Sequence, residues 1–258
     1  MEDNILWIFI HPIRSGGNTF IEFIRKHTPK EEIFMASNVR YGQKEFPEFD
    51  SKRTRFALGH ATYYGMHKLA PKKEARYFTF LRDPASRIVS YYNAKMQESD
   101  KVIPFEIWYK DQMKNDLVHF LDLKYKGQAS SRTPVPGLLI PLIKRMNYRV
   151  FAFFQGMALK FMEKGKEADV KKLENAKKLL DKCWFVGIVE NSKKDFRYLL
   201  DAMGFKGIKY QDDPGSISKK ILKLDDELRK RLYKDNALDL EIYQYALKLN
   251  REKRPKKI

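Results

Sequence analysis

The segment from Ile5 to Phe20, ILWIFIHPIRSGGNTF, constrains the fold more than any other part of this chain. A short apolar run is followed by His11 and Pro12, then by a basic residue, hydroxyl and amide side chains and two glycines, and then by a new apolar stretch. This order predicts a buried strand that enters a tight turn and opens a helix. Such a turn directs unpaired backbone N–H groups, a helix dipole and a cationic side chain at one point, which favours a bound phosphate or sulfate.

The composition narrows the class of protein. The chain has 258 residues and a hydrophobic fraction of 43%, which fits one large domain with a sizeable core. No apolar run reaches the ~20 residues of a membrane span, and no signal-peptide pattern is visible. The single cysteine, Cys183, excludes an intrachain disulfide, so we expect a cytoplasmic protein rather than a luminal fragment of a longer one. The formal charge of +18 favours a polyanionic partner, although a solvated lysine-rich surface accounts equally well for most of the lysines.

Hydrophobic periodicity and turn residues predict alternating strands and helices. The predicted strands are Ile5–Ile10, Arg55–Leu58, Arg76–Leu81 and Trp184–Val189. The predicted helices are Thr19–His27, Pro84–Met96 with Asp83 as N-cap, Ala168–Asp181, Ser192–Met203, and one long or two joined helices over Asp225–Asn250. Residues 36–52, 126–137 and 209–219 are predicted loops, and a mostly helical region covers about 101–182. The alternation predicts one α/β domain over residues 1–258, with three layers and a central, mostly parallel sheet flanked by helices.

The first turn carries candidate anion-binding groups. Gly16 and Gly17 lack Cβ atoms, so the backbone can take positive φ and approach a ligand closely. The donors around the turn are Arg14, Ser15, Asn18 and Thr19. The nucleotide P-loop GxxxxGK[ST] is absent, because this segment is shorter and has an arginine where that loop has lysine. A plain glycine turn between strand and helix is the alternative.

A second anion site is predicted in the segment YFTFLRDPASRIVSYYNAK. Arg82 ends a strand, Asp83 and Pro84 open a helix, and Ser90 lies two turns into that helix. A cation and a hydroxyl that converge at such a junction suit a second phosphate. The alternative is a surface arginine paired with a nearby aspartate.

Both segments resemble motifs of sulfotransferases that use 3′-phosphoadenosine 5′-phosphosulfate (PAPS). HPIRSGGNTF, which ends at Phe20, is similar to the 5′-phosphosulfate loop, which reads H-I-P-K-T-G-G-T-S-F in the uronosyl 2-O-sulfotransferase type. LRDPASRIVSYY is similar to the 3′-phosphate motif L-R-D-P-x-x-R-x-x-S-x-Y. The resemblance implies a P-loop-like fold in which the first turn holds the phosphosulfate, while Arg82 and Ser90 hold the 3′-phosphate. It runs from Ile5 to about Leu247 and is weakest between residues 101 and 181.

Arg14 departs from the uronosyl 2-O-sulfotransferase type, which has lysine at this position, although another carbohydrate branch has the form R-S-G-S-S-F. Lysine can pass a proton to the bridging oxygen whereas arginine effectively cannot, so Arg14 is expected to act by charge and hydrogen bonding only. The resemblance also implies that Arg87 is a structural partner of Asp83 or of the carboxyl side of the sheet. Lys219 and Lys220 lie where the family often folds a basic loop over the nucleotide.

His60, in ALGHATYYGMHKL, is the candidate catalytic base. It lies at the end of a predicted strand, and strand ends of open α/β sheets face the ligand crevice. Histidine is also the side chain best suited to accept a proton near neutral pH. Related sulfotransferases have G-H-x-x-[YF]-G here, and in the 2-O branch the matching histidine is the base. A structural polar residue is the alternative. His11 is expected to support the loop and His67 to lie on the far side of a short helix, and since no metal-ligand spacing occurs, no metal is expected.

These motifs predict an enzyme that moves a sulfuryl group from PAPS to a hydroxyl, releasing adenosine 3′,5′-bisphosphate (PAP). The expected acceptor is a glycan or glycolipid, and no specific nucleic acid is expected. Candidate acceptor contacts are the basic residues Lys124, Lys126, Arg132, Lys144, Arg145 and Arg149 and the aromatic residues Tyr125, Tyr148, Phe151, Phe153 and Phe154. A kinase-like phosphotransferase is one alternative, although it needs Mg²⁺ and a lysine in the loop. A non-catalytic polyanion binder with steep salt dependence is the other.

Overall fold

A parallel sheet of five strands, in the order β2-β3-β1-β4-β5, forms the centre of the molecule. The computed structural model describes residues 4–36, 48–99, 101–128, 166–208 and 221–253. The strands are β1 (Ile5–Ile10), β2 (Ile33–Met35), β3 (Phe56–Leu58), β4 (Glu74–Leu81) and β5 (Phe185–Ile188). β1 lies in the middle of the sheet, and its last five residues are buried, which explains its uninterrupted apolar sequence.

Helices cover both faces of this sheet. They are α1 (Gly17–His27), α2 (Pro84–Gln97), α3 (Phe105–Lys110), α4 (Asp116–Tyr125), α5 (Lys166–Lys182), α6 (Ser192–Ala202), α7 (Asp226–Asp235) and α8 (Ala237–Lys253). Short 3₁₀ turns occur at Lys30–Glu32, Met66–Leu69 and Val189–Asn191. Within the described ranges, no helix combines the length and the apolar character that a bilayer crossing requires.

The side chains of β1 alternate between two hydrophobic cores. Leu6, Ile8 and Ile10 pack with buried residues of α4, α5 and α8. Trp7 and Phe9 pack on the opposite face with the aromatic and aliphatic side chains of α1 and α6. A third cluster joins α2, α3 and α7 beside the sheet. The sheet with helices on each face confirms the predicted three-layer α/β fold.

Several observed elements differ from the predicted ones, most of them by one or two residues at an end. β2 was not predicted, because a three-residue edge strand is too short to show a period. Of the two alternatives predicted for Asp225–Asn250, the structure has two joined helices. They are separated at Asn236, whose side-chain amide donates to the Leu232 carbonyl and the Tyr109 hydroxyl. α1 begins at Gly17 rather than at Thr19. The predicted loop at 209–219, most of the loops at 36–52 and 126–137, and residues 129–165 of the predicted helical region lie outside the described residues.

Candidate active site

The carboxyl ends of β1, β3 and β4 lie side by side at one edge of the sheet. β1 is parallel to both neighbours, with Ile8 opposite Ala57 of β3 and Ile10 opposite Thr79 of β4. The chain passes from β3 on one side of β1 to β4 on the other side. Such a reversal of direction forms a crevice outside the strand ends, where open α/β sheets bind their ligands.

The first turn leaves β1 and presents its backbone to this crevice. Arg14 and Gly16 have positive φ values of 63° and 73°. Gly16 is the N-cap of α1, no side chain caps this helix, and its first turn holds no acidic residue. Asn18 and Thr19 belong to that first helical turn. The helix therefore begins with backbone N–H groups and a positive dipole end, an arrangement that suits an anion.

Gly17 is required for packing beneath the first turn. A Cβ atom at this position would lie 2.0 Å from Nε2 of His11. His11 is buried, and burial lowers its pKa well below the usual value, with the nearby His60 acting in the same direction. The hydroxyl of Ser15 is also buried and has no hydrogen-bond partner among the described residues. An unpaired buried hydroxyl is costly, so Ser15 is suited to a ligand oxygen.

The second turn leaves β4 and is fixed by side chains. The carboxylate of Asp83 accepts from the backbone N–H of Ser86, at 2.8 Å, and caps α2. The same carboxylate accepts from the Tyr233 hydroxyl and from Arg229, and the Asp83 N–H donates to Glu190. Contacts from α7 and from the turn after β5 therefore fix the position of Asp83, the residue that follows Arg82.

The two turns meet through Arg14. Its Nε donates to the Ser90 hydroxyl of α2 at 3.1 Å, across 76 residues of sequence. Burial lowers the pKa of Arg82, the Glu190 carboxylate opposes this shift, and the positive charge of Arg14 adds to it. Two guanidinium groups close enough to repel each other form a strongly positive site. The structure thus brings together the predicted phosphosulfate turn and the predicted 3′-phosphate residues.

Arg87 has different partners from those expected. Its guanidinium pairs with Asp116 of α4 and, at 3.2 Å, with the buried Asp239 of α8 rather than with Asp83. Asp239 also accepts from the backbone N–H groups of Leu117 and Val118. Of the two structural partners predicted for Arg87, Asp83 was wrong, because Tyr233 and Arg229 occupy that carboxylate. Arg87 instead anchors α2 to the helices behind the site.

His60 follows β3 and is held against the first turn. Its Nδ1 lies 3.0 Å from the carbonyl oxygen of His11. A carbonyl only accepts hydrogen bonds, so Nδ1 carries the proton and Nε2 is the basic nitrogen. The His60 ring also stacks on His11 with ring centroids 4.2 Å apart, and His11 stacks on Phe9 at 4.8 Å. The stacked rings of Phe9 and His11 therefore set the orientation of the His60 imidazole.

The other histidines have structural contacts. His67 lies in a 3₁₀ turn, and its Nδ1 is 2.9 Å from the Tyr77 hydroxyl. His27 contacts the Phe23 carbonyl, and His119 is buried in α4. Within the described ranges, no group of three His, Cys, Asp or Glu side chains is arranged to hold a metal ion.

The predicted acceptor residues are only partly described. Lys124 is fully buried rather than exposed to a glycan, and its Nζ donates to the His60 carbonyl at 2.7 Å. Tyr125 stacks on Tyr64, and Lys126 pairs with Asp122. The other candidate acceptor residues and the predicted nucleotide-covering lysines lie outside the described residues: Arg132, Lys144, Arg145, Tyr148, Arg149, Phe151, Phe153, Phe154, Lys219 and Lys220.

Sequence reasoning missed two supports of the site. Glu190 accepts from the Asp83 N–H and from the Tyr243 hydroxyl, so it buttresses the second turn from behind. Lys124 supports the turn that carries His60. Glu190 follows a predicted strand end, which was an available signal. No local signal marked Lys124, because its surroundings come from a turn 64 residues away.

Comparison with known proteins identifies one family. A model of the sulfotransferase family matches residues 38–246, a range that includes His60, Arg82 and Ser90 and begins after the first turn. No curated protein sequence matches the chain. A sulfotransferase structure from Alicyclobacillus acidocaldarius aligns at 13% identity with a TM-score of 0.42, covering 92% of this chain and 93% of that one. The structure of mouse sulfotransferase SULT7A1 complexed with PAP aligns at 17% identity with a TM-score of 0.30, covering 91% of this chain and 63% of that one.

Proposed function

Because the chain belongs to the sulfotransferase family, we propose that it transfers the sulfuryl group of PAPS to a hydroxyl of a carbohydrate. The hydrogen bond of 3.1 Å between Arg14 Nε and the Ser90 hydroxyl carries this proposal. It joins the turn suited to a phosphosulfate to the turn suited to a 3′-phosphate. PAPS carries both groups on one ribose, so one molecule can occupy both turns.

The residues of the first turn fit the phosphosulfate end. The uncapped N-terminus of α1 offers the N–H groups from Gly17 to Thr19, Ser15 offers a buried unpaired hydroxyl, and Arg14 offers a positive charge. Arg82 and Ser90 would hold the 3′-phosphate, since a guanidinium and a hydroxyl donate well to phosphate oxygens. Asp83 and Glu190 accept the donors behind this turn, so the second turn stays in place without a ligand.

His60 would act as the general base. Its Nε2 takes the proton of the acceptor hydroxyl while the acceptor oxygen forms a bond to sulfur. The bond between sulfur and the bridging oxygen breaks, and its electron pair stays on the 5′-phosphate of PAP. Arg14 and the N-terminus of α1 stabilise the charge that grows on this phosphate. Arginine suffices for this role, because the departing phosphate needs no proton.

The acceptor class is inferred from the net charge of the protein and from the family resemblance. The formal charge of +18 favours an anionic acceptor over a neutral one, and a uronic-acid-containing glycan has the required carboxylates and hydroxyls. The resemblance to the uronosyl 2-O-sulfotransferase type points the same way. Family membership favours sulfuryl transfer over phosphoryl transfer.

The direct test is transfer of radiolabelled sulfuryl from PAPS to a panel of uronic-acid glycans, neutral glycans and glycolipids, with a chelator present. We expect label on a uronic-acid glycan without added metal. The variant His60→Ala should lose at least about 100-fold in kcat, the lower range for general-base catalysis, while it still binds PAP. His67→Ala is the matched control, because His67 contacts Tyr77 rather than the first turn.

Three results would contradict the proposal. Transfer of a labelled γ-phosphoryl group from ATP in a parallel assay with Mg²⁺ and no chelator, without sulfuryl transfer from PAPS, would indicate a kinase. Glycan binding without any transfer, weakened steeply by salt, would indicate a polyanion binder. Normal turnover by His60→Ala would remove this residue from the role of base.

A further inference from the structure

Lys124 is the one lysine whose side chain is completely buried among the described residues. It lies in the last turn of α4, and its Nζ donates to the carbonyl oxygens of His60 at 2.7 Å and of Gln128 at 3.3 Å. Burial lowers its pKa to about 7. A buried amine of this kind costs several kcal/mol when charged, so a purely apolar residue would pack here at lower cost.

The contact from Lys124 is one of several between α4 and the turn that carries His60. The backbone N–H of Tyr64 donates to the Lys124 carbonyl at 3.0 Å, and the rings of Tyr64 and Tyr125 stack 6.0 Å apart. Residues 60 and 64 are thus both tied to the end of one helix. The end of α4 thus fixes this turn through a side-chain and a backbone hydrogen bond.

The other side of the same turn is bonded to β1. His60 Nδ1 contacts the His11 carbonyl, and the Thr62 hydroxyl donates to the Phe9 carbonyl. The imidazole can keep its Nδ1 bond only while its backbone stays at this distance from β1. Lys124 holds the backbone carbonyl of the same residue, so it acts on the position of the ring.

We propose that Lys124 is a positioning residue for His60, which holds the imidazole in the tautomer that keeps Nε2 basic. The inference rests on the proposed function, in which His60 is the base. The Lys124 amine can donate to both carbonyl oxygens whether it is charged or neutral. A neutral amine still has two N–H bonds, one for each of the carbonyl oxygens of His60 and Gln128.

The test compares Lys124→Met with wild type and with Lys126→Met. Methionine keeps an unbranched apolar side chain and removes the donors. Lys126 lies two residues away, is about half exposed, and pairs with Asp122. Three quantities are measured: the imidazole ¹⁵N chemical shifts of His60 in the free protein, the Kd of PAP, and kcat and KM for sulfuryl transfer.

In wild type and in Lys126→Met we expect the ¹⁵N shifts of a single tautomer with the proton on Nδ1. In Lys124→Met the two nitrogens should shift toward averaged values, and kcat should fall at least about tenfold, while Kd for PAP changes less than about twofold. A loss of stability alone would not move the tautomer. Unchanged ¹⁵N shifts and unchanged kcat in Lys124→Met would overturn the proposal.

Two further outcomes keep the inference separate from the proposed function. If wild type transfers no sulfuryl group but Lys124→Met changes the His60 tautomer, the positioning role stands and the proposed reaction fails. If Lys124→Met does not fold, Lys124→Leu carries the test, since leucine is a smaller apolar side chain that also lacks the donors. For this variant we expect averaged ¹⁵N shifts and a kcat between those of wild type and His60→Ala, and a wild-type tautomer with wild-type kcat would overturn the role.

Discussion

The two anion-binding turns of this protein are built in opposite ways. The first turn relies on backbone: Arg14 and Gly16 have positive φ, and no side chain caps α1. The second turn relies on side chains: the Asp83 carboxylate caps α2 and accepts from Tyr233 and Arg229. The first turn thus presents the backbone N–H groups at the start of α1 to a ligand, whereas the second has its backbone fixed in advance and offers Arg82 and Ser90.

This difference predicts how each turn responds to substitution. The first should be sensitive to added volume, because its backbone must approach the ligand, and tolerant of lost hydroxyl groups. The second should be sensitive to the loss of single polar groups, because they hold its shape. The following predictions test this contrast, from the largest expected effect to the smallest.

The largest effect is expected for Gly17→Ala. The new Cβ would lie 2.0 Å from His11 Nε2, so either the first turn or the stacked histidine must move. Overpacking of this kind costs about 1–3 kcal/mol, and PAP binding should fall below detection in calorimetry. In a His11→Ala background the added cost of Gly17→Ala should largely disappear, as a double-mutant cycle would measure. Wild-type stability and PAP affinity in Gly17→Ala would contradict the account of the first turn.

A smaller loss is expected for Asp83→Ala in the second turn. The variant removes the cap of α2 and leaves Tyr233 and Arg229 without their acceptor, so the free energy of unfolding should fall by about 2 kcal/mol. Asp225→Ala is the control, because Asp225 caps α7 through the Leu228 N–H in the same way. Denaturant unfolding should show a greater loss for Asp83→Ala, with weaker PAP binding only in that variant. An equal loss of unfolding free energy in the two variants would contradict the claim that the Tyr233 and Arg229 contacts of Asp83 stabilise the second turn.

A pH effect is expected from His11 beneath the first turn. Its pKa in the folded protein is well below the ordinary 6.5, so the unfolded chain takes up a proton near pH 6.5 while the folded protein does not. Stability conferred by this buried neutral ring is therefore present above pH 6.5 and is lost as the pH falls, by at most about 1.4 kcal/mol per pH unit. His11→Phe keeps a stacked ring without the titration. Between pH 7 and 5 wild type should lose more stability than His11→Phe, and parallel pH curves would contradict this.

The smallest effect is expected for Ser15→Ala. The buried hydroxyl has no partner among the described residues, so its removal should leave the free energy of unfolding unchanged or slightly higher. PAP affinity should fall by no more than about tenfold, the value of one hydrogen bond. A loss of stability comparable to that of Asp83→Ala would show that the first turn also depends on its side chains.

Much of this architecture could be predicted from the sequence, because the information is local. The strand Ile5–Ile10 has the predicted bounds, and Asp83 caps its helix as predicted. The arrangement of strands and turns at one edge followed from the alternation of elements. The family resemblance implied that both turns bind one cofactor, but the hydrogen bond between Arg14 and Ser90 was not predicted.

The remainder depends on long-range packing that no local pattern encodes. The resemblance implied that Arg87 pairs with Asp83 or with the carboxyl side of the sheet, yet its buried partner Asp239 lies 152 residues away. Lys124 was predicted to contact the acceptor. It is buried instead, because its amine donates to the carbonyl oxygens of His60 and Gln128. The same dependence on distant residues hid Tyr233, which donates to Asp83 from 150 residues away.

The central claim is that both turns bind one nucleotide, and calorimetry of PAP against ADP tests it most directly. Wild type should bind PAP at least about tenfold more tightly than ADP, which lacks the 3′-phosphate. Arg82→Ala should remove this preference, and Arg14→Ala should weaken both nucleotides while keeping it. Equal affinity of wild type for PAP and ADP, or a preference that survives in Arg82→Ala, would contradict the claim.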